Sequence, residues 1–536
     1  MWAPFLYGLT GNLQRGWVAV TDNGAIALRS WDVLTAGGPL VGQATRLGHG
    51  VFDAGPLEYW LLALPVHLDP GHGVLWGAAL WSMVAGSLAV EAAWSAAGWY
   101  AGLGAAGFIL GLIVWIPPIA QDPSWNPWIA VMYLTAALAA AWAVMTGHRG
   151  WWPVLVISAS IAAQAHLMCA IAAAAAVVLA LIVGLVDTIR SRAGWRGYRW
   201  LIIGVVAGAA CWAAPLVQQF TNSQGNLHAL LLGNGTPQPR AGLAFGLKAL
   251  SAAVQPPVYW WQPLRSIRDL GTVGQRSAVA GGIALAVAAA VVVVAIVVLR
   301  SRRAAALGGL SLLLSGAVIA TYAGVPAFAL TRQTATLGSL RYLLTPLYLT
   351  GVVTWLTAVS VLALLARRVA ARVRDRTPAG PATGSAAGPA RITATVRAGT
   401  CVTVAALVAL ACSQAVVKVS HRLRAESIVM KDVTRAASQI RHDLPGQPIA
   451  LSVRAPTNPG RRQLVFGLVY ALRTMGYQAE IGPGWARQLG PQYTHGDEPV
   501  RSVTVAVLGS ALSVDVSKRT VIAHQEGDPL PGLPLI

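Results

Sequence analysis

The chain has 536 residues, of which 55% are hydrophobic and 11% are charged, and its mean hydropathy is +0.58. This composition excludes a wholly water-soluble protein and is typical of a polytopic membrane protein with some soluble mass attached. The formal charge of +20 arises from 39 Lys and Arg against 19 Asp and Glu. Because the arginines cluster between apolar segments, we interpret them as signals of membrane topology and expect no nucleic-acid partner.

Residues 14–55 are the one long polar-containing segment near the start of the chain. We predict a loop that follows a first membrane helix, which is either unusually short or lacks most of its beginning, since the preceding residues are fewer than the roughly 20 that a spanning helix needs. The segment holds Asp22, Asp32 and Asp53, three of the 19 acidic residues. Scarce carboxylates beside a bilayer are typical of a functional site.

The apolar run PLEYWLLALPVHL follows this segment at residues 56–68. It is also shorter than the roughly 20 residues of a spanning helix. We therefore predict a helix that lies in the membrane interface, with Tyr59 and Trp60 at the level of the lipid headgroups.

Longer apolar segments predict the membrane-spanning helices. The run of residues 151–186 is too long for one span, and the polar cluster of Gln164 and His166 near its middle predicts two short helices with a break between them. With the first helix, the segments predict a bundle of about 10–11 transmembrane helices. The other predicted spans are residues 73–96, 98–118, 127–146, 200–218, 279–299, 304–324, 340–364 and 398–416.

Charge sets the predicted orientation of the bundle in the plasma membrane. The connections around Arg149 and at residues 190–199, 300–303 and 367–397 are rich in arginine, and the positive-inside rule places them in the cytoplasm. The alternation of spans then places outside the cell the loops at residues 14–55, 121–127, 219–278 and 325–339.

The composition changes again towards the C-terminus. Residues 366–397 predict a flexible cytoplasmic linker, and residues 398–416 predict the last transmembrane helix. Beyond it, IALSVR and VTVAVLG are typical of strands and RRQLVFGLVYALRTMG of an amphipathic helix. The predicted fold is an all-α polytopic membrane bundle at residues 1–365, with a small extracytoplasmic α/β domain at residues 417–536.

Asp22 and Asp122 are the acids that we select as candidates for chemistry. Asp22 is either an ordinary helix N-cap or a carboxylate at a membrane-facing cavity. In a cavity it would serve as a general base towards a hydroxyl group, or as a ligand of a divalent cation such as Mg or Mn held against a phosphate. Asp122 lies in a tight outer loop, where it is either solvated or meets Asp22 across the cavity mouth.

Further polar side chains also have both a structural and a functional interpretation. Asp53, with His49 nearby in the sequence, is either a solvated loop residue or a second acid at the membrane surface. Gln164 and His166 lie in apolar sequence, where polar groups are either satisfied within a core or face a cavity.

Two later loops add basic and aromatic candidates. Arg341 is either an interfacial arginine or a ligand of a lipid phosphate, which a guanidinium binds through two hydrogen bonds. Arg332 is a second basic residue of the same loop. Tyr259 and Trp260 either stack on a sugar ring or lie in the interface, and the interface is favoured.

Taken together, these features resemble the GT-C superfamily of integral-membrane glycosyltransferases, in particular the branch of protein O-mannosyltransferases and the aminoarabinose transferase of lipid A. Asp22 resembles the acid that follows the first helix in that family, and Asp122 resembles its second acidic position. Residues 55–65, GPLEYWLLALP, are similar to the family's Pro-Pro-Leu-Tyr-Tyr segment, and residues 341–346 to its late Arg-Tyr-Leu-Leu-Pro pattern. The resemblance covers about residues 1–365.

The chain departs from the family pattern at two places. Ala54 and Gly55 stand where a basic residue often precedes the double proline, and Asn23 follows Asp22 where another acid is usual. These two departures together bear on the donor-phosphate contacts and on the class of acceptor.

The resemblance implies inverting transfer of a sugar from a polyprenyl-phosphate donor to a glycan, lipid or protein acceptor at the outer face of the membrane. It implies Asp22 and Asp122 as catalytic acids, with Asp22 as general base or metal ligand. The donor phosphate would be bound by Arg341, Arg332 and His49, and the acceptor or sugar would be contacted by Asp53, Glu58, His166, Gln164, Tyr259 and Trp260.

Two other classes of function remain open from the sequence. A transporter or lipid flippase would show internal repeats and helices broken at matching places, and no clear repeat is visible. A non-catalytic scaffold would use residues 417–536 as a receptor or assembly domain. The gathering of acids in outer loops favours surface chemistry over a conduction path.

Overall fold

The structure, a computed structural model, describes residues 1–34, 38–45, 51–191, 195–221, 225–232, 239–254, 270–327, 341–376, 409–419, 427–443, 450–454, 464–481, 501–508, 511–516 and 519–523. Numbered in chain order, its helices are α1 (Ala3–Gln14), α2 (Thr21–Asp32), α3 (Leu57–Leu68), α4 (Gly73–Ala97), α5 (Trp99–Trp115), α6 (Pro118–Gln121), α7 (Asn126–Met145), α8 (Trp152–Ala165), α9 (Leu167–Arg190), α10 (Trp195–Thr221), α11 (Asn226–Leu232), α12 (Gly242–Val254), α13 (Leu270–Gly274), α14 (Ala278–Val293), α15 (Arg302–Ala323), α16 (Thr345–Arg376), α17 (Ala409–Val419), α18 (Ser427–Asp443) and α19 (Leu464–Thr474). Short turns of other helix types lie at Arg149–Trp151, Val294–Val298 and Arg341–Leu344.

Seven helices in the described part of the chain are long and apolar enough to cross a membrane: α4, α7, α9, α10, α14 with the turn that follows it, α15 and α16 with the turn that precedes it. This confirms the prediction of a polytopic membrane bundle. Helix α5 has 17 residues and is shorter than the predicted span at residues 98–118. Gly98, at φ 88°, separates it from α4, and Ile116 leaves the helical conformation directly before Pro117.

Helix α7 is the centre of the bundle and is almost wholly buried. It packs against α4, α8 and α9. Its sequence is rich in alanine, and small side chains let neighbouring helix backbones approach closely inside a membrane. Pro127 lies in its first turn, where the absence of a backbone N–H costs nothing.

The predicted break between α8 and α9 is confirmed at His166. This residue is extended, with φ −154° and ψ 123°, so that the two helices are separate. Its Nδ1 accepts a hydrogen bond of 3.3 Å from the backbone N–H of Met168. The side chain at the break therefore satisfies one of the first-turn amides of α9.

The arginine-rich connections meet at the other end of the bundle. Asp187, near the end of α9, accepts from Arg302 at 2.9 Å and from Arg149 at 3.5 Å. Arg368 donates to the backbone carbonyl of Leu299 at 2.6 Å. This common location agrees with the prediction that the connections share one side of the membrane.

The prediction of a loop at residues 14–55 is wrong for one stretch, because Thr21–Asp32 form helix α2. Ile26 and Leu28 of this helix are fully buried, and the helix packs against α3 and α19. The sequence TDNGAIALRSWD mixes polar and apolar residues, and the apolar face gains its stability from these partner helices. Asp22 consequently lies in the first turn of a helix and not in a loop.

The structure also corrects one detail of α3. The helix exposes Trp60 and Leu64, as an interfacial helix does. Tyr59 is buried, however, and its hydroxyl donates to Gln43 Oε1 at 3.2 Å. The prediction of Tyr59 at the headgroups is wrong because its ring faces the protein interior.

Helix α16 continues to Arg376 and so extends into residues 366–397, which the sequence predicts as a linker. The added turns are rich in alanine and arginine, which are strong helix formers. Residues 377–408 lie outside the described residues. They include the remainder of the predicted linker and the start of the predicted last span.

The C-terminal part has the α/β character that its sequence predicts. Its strands are β1 (Ala450–Arg454), β2 (Gln478–Ile481), β3 (Arg501–Leu508), β4 (Ala511–Val516) and β5 (Arg519–Ala523). They form one sheet in the order β2-β1-β3-β4-β5. Strands β1, β2 and β3 are parallel, and β4 runs antiparallel to β3 and β5.

This domain docks on the membrane bundle through α19. Tyr470 of α19 donates its hydroxyl proton to the carbonyl of Pro70, between α3 and α4, at 2.7 Å. Leu468 and Val469 of the same helix are fully buried in a core that is continuous with the membrane helices. The domain therefore lies at the end of the bundle that carries α2.

Labelling of single cysteines tests the predicted orientation. We expect Gly71→Cys, at the end with α19, to react with a membrane-impermeant thiol reagent in intact cells. Ser191→Cys, at the arginine-rich end, is expected to react only after permeabilisation, because the positive-inside rule places that end in the cytoplasm. Both positions are exposed. The reverse labelling pattern would show that the orientation is inverted.

Candidate functional site

The site is built where the start of α2 meets the loop between α6 and α7. Asn23 of α2 donates from Nδ2 to both carboxylate oxygens of Asp122, at 2.8 and 2.7 Å. The hydroxyl of Ser124 donates to the same carboxylate at 2.8 Å. Two acids that are far apart in sequence thereby belong to one site, since Asp22 directly precedes Asn23.

Asp22 is held by Trp125, which lies in the same loop as Asp122. The indole Nε1 of Trp125 donates to Asp22 Oδ2 at 3.0 Å, and the carboxylate is half-buried. Thr21, immediately before it, has φ 52°, a left-handed conformation that costs an ordinary residue about 1–2 kcal/mol. Such strain persists only where surrounding contacts hold the backbone, and it is common at functional sites.

Aromatic side chains join two further predicted elements to this place. Trp125 lies edge-on to Tyr342, with ring centroids 5.0 Å apart, and His166 lies edge-on to the same tyrosine at 5.2 Å. Tyr342 belongs to the turn Arg341–Leu344 that precedes α16. The acid-bearing loop, the break between α8 and α9 and the turn that begins with Arg341 therefore converge.

Asp53 lies in a buried layer behind the two acids. It is 5% exposed, and it accepts from Asn126 Nδ2 and from the backbone N–H of Leu167, each at 3.2 Å. Burial raises the pKa of Asp53 to about 8, although both of these hydrogen bonds lower it. At neutral pH the carboxyl group is therefore mostly protonated.

Glu58 and Gln164 complete this layer. Glu58 is 3% exposed, and its pKa is raised well above the ordinary value by burial and secondly by the charge of Asp53. Gln164 is fully buried and donates to the carbonyl of Cys211 at 2.8 Å. Among the described residues, neither Glu58 Oε1 nor Gln164 Oε1 has a hydrogen-bond partner.

Arg29 supplies buried positive charge on the helix that carries Asp22. It is 8% exposed and lies one heptad after Asp22, and therefore on the same face of α2. Its guanidinium carbon is 5.9 Å from the ring centroid of Tyr59. We did not predict this residue from the sequence, although its spacing from Asp22 was visible there.

The structure does not describe every predicted site residue. Arg341 begins the turn before α16, and its side chain lies outside the described part of the chain. The other predicted residues that lie outside the described part are His49, Arg332, Tyr259 and Trp260. The roles of all these residues stay predictions.

A cage for a metal ion is not formed by the described residues, in which no three His, Cys, Asp or Glu side chains converge. Hard cations such as Mg²⁺ require about six oxygen ligands. Both oxygens of Asp122 accept from Asn23, and Asp22 Oδ2 accepts from Trp125. The divalent cation at Asp22 stays a prediction.

Several residues of the site were missed or undervalued by sequence reasoning. Asn23 stood out only as a departure from a family pattern, yet it is the donor that links Asp122 to α2. Trp125 and Asn126 each contact an acid directly. The sequence indicated Tyr342 only as part of the Arg-Tyr-Leu-Leu-Pro-like pattern at residues 341–346. The signal in each case was a polar or aromatic side chain next to an acid in an apolar context.

Comparison with known proteins reveals similarity of fold. No protein-family model matches the chain, and no curated protein matches it in sequence. Among solved structures, it is similar to ArnT from Cupriavidus metallidurans bound to undecaprenyl phosphate, with a TM-score of 0.50 and 15% identity. The match covers 94% of this chain and 91% of that chain. The predicted fold, a helical membrane bundle of the ArnT type with a small C-terminal α/β part, is thereby confirmed.

The pH dependence of stability tests the burial of Asp53. Its pKa lies at about 8 in the folded protein, against an ordinary 3.8. The folded protein thus retains a proton that the unfolded chain releases, and the resulting stability, complete below about pH 4, is lost as the pH rises through about 8. We expect the thermal unfolding temperature of Asp53→Asn to fall less steeply over this range than that of the wild type. Equal slopes would contradict the assignment.

Proposed function

We propose that the protein is a membrane glycosyltransferase that moves a sugar from a polyprenyl-phosphate donor to an acceptor hydroxyl at the outer face of the membrane. The observation that carries this proposal is the convergence of Asp22 and Asp122 beside the turn that begins with Arg341. The shared fold with ArnT, which was crystallised with undecaprenyl phosphate, supports the class of donor.

Asp22 is the general base of the proposed reaction. Its carboxylate takes the proton of the acceptor hydroxyl while the hydroxyl oxygen attacks the anomeric carbon of the sugar. The bond between that carbon and the phosphate oxygen breaks, and its electron pair leaves with the polyprenyl phosphate. Attack opposite the leaving group inverts the anomeric configuration. Trp125 orients the base through its hydrogen bond to Oδ2.

Asp122 is the partner acid that fixes the geometry of the base. Its two oxygens accept from Asn23 and from Ser124, so that it ties the start of α2 to the loop that also carries Trp125. A base contributes to catalysis only when it lies within hydrogen-bond reach of the proton that it removes. Asp122 therefore positions Asp22 in two ways. It binds Asn23, the next residue on α2, and it lies in the loop whose Trp125 binds Asp22.

The leaving phosphate would be stabilised by arginine. Arg341 begins the turn whose Tyr342 packs against Trp125 and His166, and a guanidinium matches the oxygens of a phosphate group. Stabilising negative charge that develops on a leaving group is a major part of catalysis in such reactions. The lipid tail would remain in the bilayer beside α16, while the acceptor would enter from the aqueous side.

Substitution of the base tests the proposal. We expect Asp22→Asn to lower the rate of sugar transfer from a polyprenyl-phosphate-linked sugar by about 10²–10⁴-fold, because the amide cannot accept the proton. The KM for the donor should change little, since the donor phosphate is held elsewhere. Transfer is followed as radiolabelled sugar that leaves the lipid fraction, with the purified protein in lipid vesicles.

Glu91→Gln is the matched control, because Glu91 is an exposed carboxylate on α4. It should retain wild-type transfer. A wild-type rate in Asp22→Asn would remove Asp22 from the mechanism. Wild-type protein that moves lipid-linked sugar across vesicles without transferring it would instead support the flippase alternative.

Chelation tests whether a divalent cation takes part. If Asp22 and the donor phosphate hold a divalent cation between them, an excess of EDTA should lower the transfer rate, since Mg²⁺ is commonly bound through one or two carboxylates together with substrate phosphates. The rate is measured with and without the chelator in the same vesicles. Loss of transfer that Mg²⁺ or Mn²⁺ restores would place a cation between Asp22 and the donor phosphate.

A further inference from the structure

The helix that carries Asp22 is in backbone contact with the C-terminal domain. A Cβ atom added to Gly24 of α2 would lie 2.6 Å from the backbone N of Gly467 and 2.9 Å from its Cα. A Cβ added to Gly467 would collide with the carbonyl oxygen of Ala19 and lie 3.1 Å from Val20 Cα. Helices α2 and α19 thus cross with their backbones in contact at Gly24 and Gly467. A shift of one helix towards the other would therefore displace the other's backbone.

This contact lies directly before the strained residue. Gly467 touches Ala19 and Val20, and the next residue, Thr21, has φ 52°. Asp22 and Asn23 follow at once. A left-handed conformation at a β-branched residue needs contacts that hold it, and the crossing of α19 supplies them on the N-terminal side.

Helix α19 is itself fixed to the membrane bundle. The hydroxyl of Tyr470 donates to the Pro70 carbonyl at 2.7 Å, and Val465, Phe466 and Leu468 are buried. The residues that precede α2 are equally fixed, since Trp17 and Ala19 are 1% exposed. Both sides of the crossing are therefore anchored, as a positioning contact requires.

We propose that the C-terminal domain is a structural part of the transfer site, in which Gly467 is a positioning residue that holds the backbone before Asp22 through its contact with Ala19 and Val20. The inference rests on the proposed function, because it assigns Asp22 as the group that is positioned. A separate receptor domain would behave differently, because its removal or displacement would leave the geometry of the base unchanged.

Gly467→Ala tests the proposal in the full-length protein. The added methyl group displaces α19 or the turn at Thr21, and we expect kcat for transfer to fall about 100-fold, as misplacement by about 1 Å does. The KM for the donor should remain within about twofold, because Gly467 contacts the residues before Asp22, whereas the donor phosphate is proposed to be held by Arg341. Gly316→Ala is the matched control, since an added Cβ there meets nothing within 4 Å.

A double variant separates positioning from a general loss of stability. If Gly467 and Asn23 both act through the geometry of Asp22, then Asn23→Ala combined with Gly467→Ala should lose no more activity than the worse single variant. Independent effects would multiply, and that outcome would overturn the proposal.

Hydrogen exchange supplies a readout that does not depend on activity. We expect the backbone amides of residues 17–32 to exchange faster in Gly467→Ala than in the wild type, with those of α7 unchanged. Tyr470→Phe removes the anchoring hydroxyl without adding volume and should give a smaller increase in exchange at the same amides. This variant provides the test if Gly467→Ala does not fold. Wild-type exchange and kcat in both variants would refute the proposal. Wild-type protein without transfer activity would refute the proposed function alone.

Discussion

The hydrogen bonds from Asn23 to the carboxylate of Asp122 are the interaction on which the arrangement of the site depends. A carboxylate that accepts from an amide and a hydroxyl is held more firmly than a neutral acceptor, because the hydrogen bonds are charge-assisted. Asn23 lies on a helix outside the main bundle, and Asp122 lies in a loop between membrane helices. Their link determines where α2 begins, and with it the position of Asp22.

Burial divides the acids of this region into two kinds. Asp22 and Asp122 are half-buried and hydrogen-bonded, whereas Asp53 and Glu58 are almost fully buried, with raised pKa values. The mostly protonated carboxyl group of Asp53 adds little negative charge behind a site that is proposed to release a phosphate. Arg29 adds positive charge to the same region. The buried layer thereby makes the site less repulsive to an anionic donor than a count of its acids indicates.

The two ends of the bundle have different chemistry for physical reasons. At one end, arginines pair with Asp187 and with the carbonyls that terminate helices, as suits groups beside a membrane surface. At the other end, helices break or begin at His166 and Asn126, and irregular backbone surrounds the acids. Irregular backbone near a membrane is stable only where protein or water satisfies its polar groups. The C-terminal domain docks at this second end, on α2.

The sequence by itself determined the membrane bundle, the break at His166 and the α/β character of the C-terminal part, and it selected Asp22 and Asp122 as candidates whose roles stay predictions. These features follow from hydropathy, the cost of polar groups in apolar runs and strand or helix periodicity, all of which are local along the chain. Only the tertiary structure decided that residues 21–32 form a helix, that Tyr59 faces inward and that Gly467 lies against Ala19. Each of these depends on contacts between segments distant in sequence, because α2 is stable as a helix only where α3 and α19 cover its apolar face.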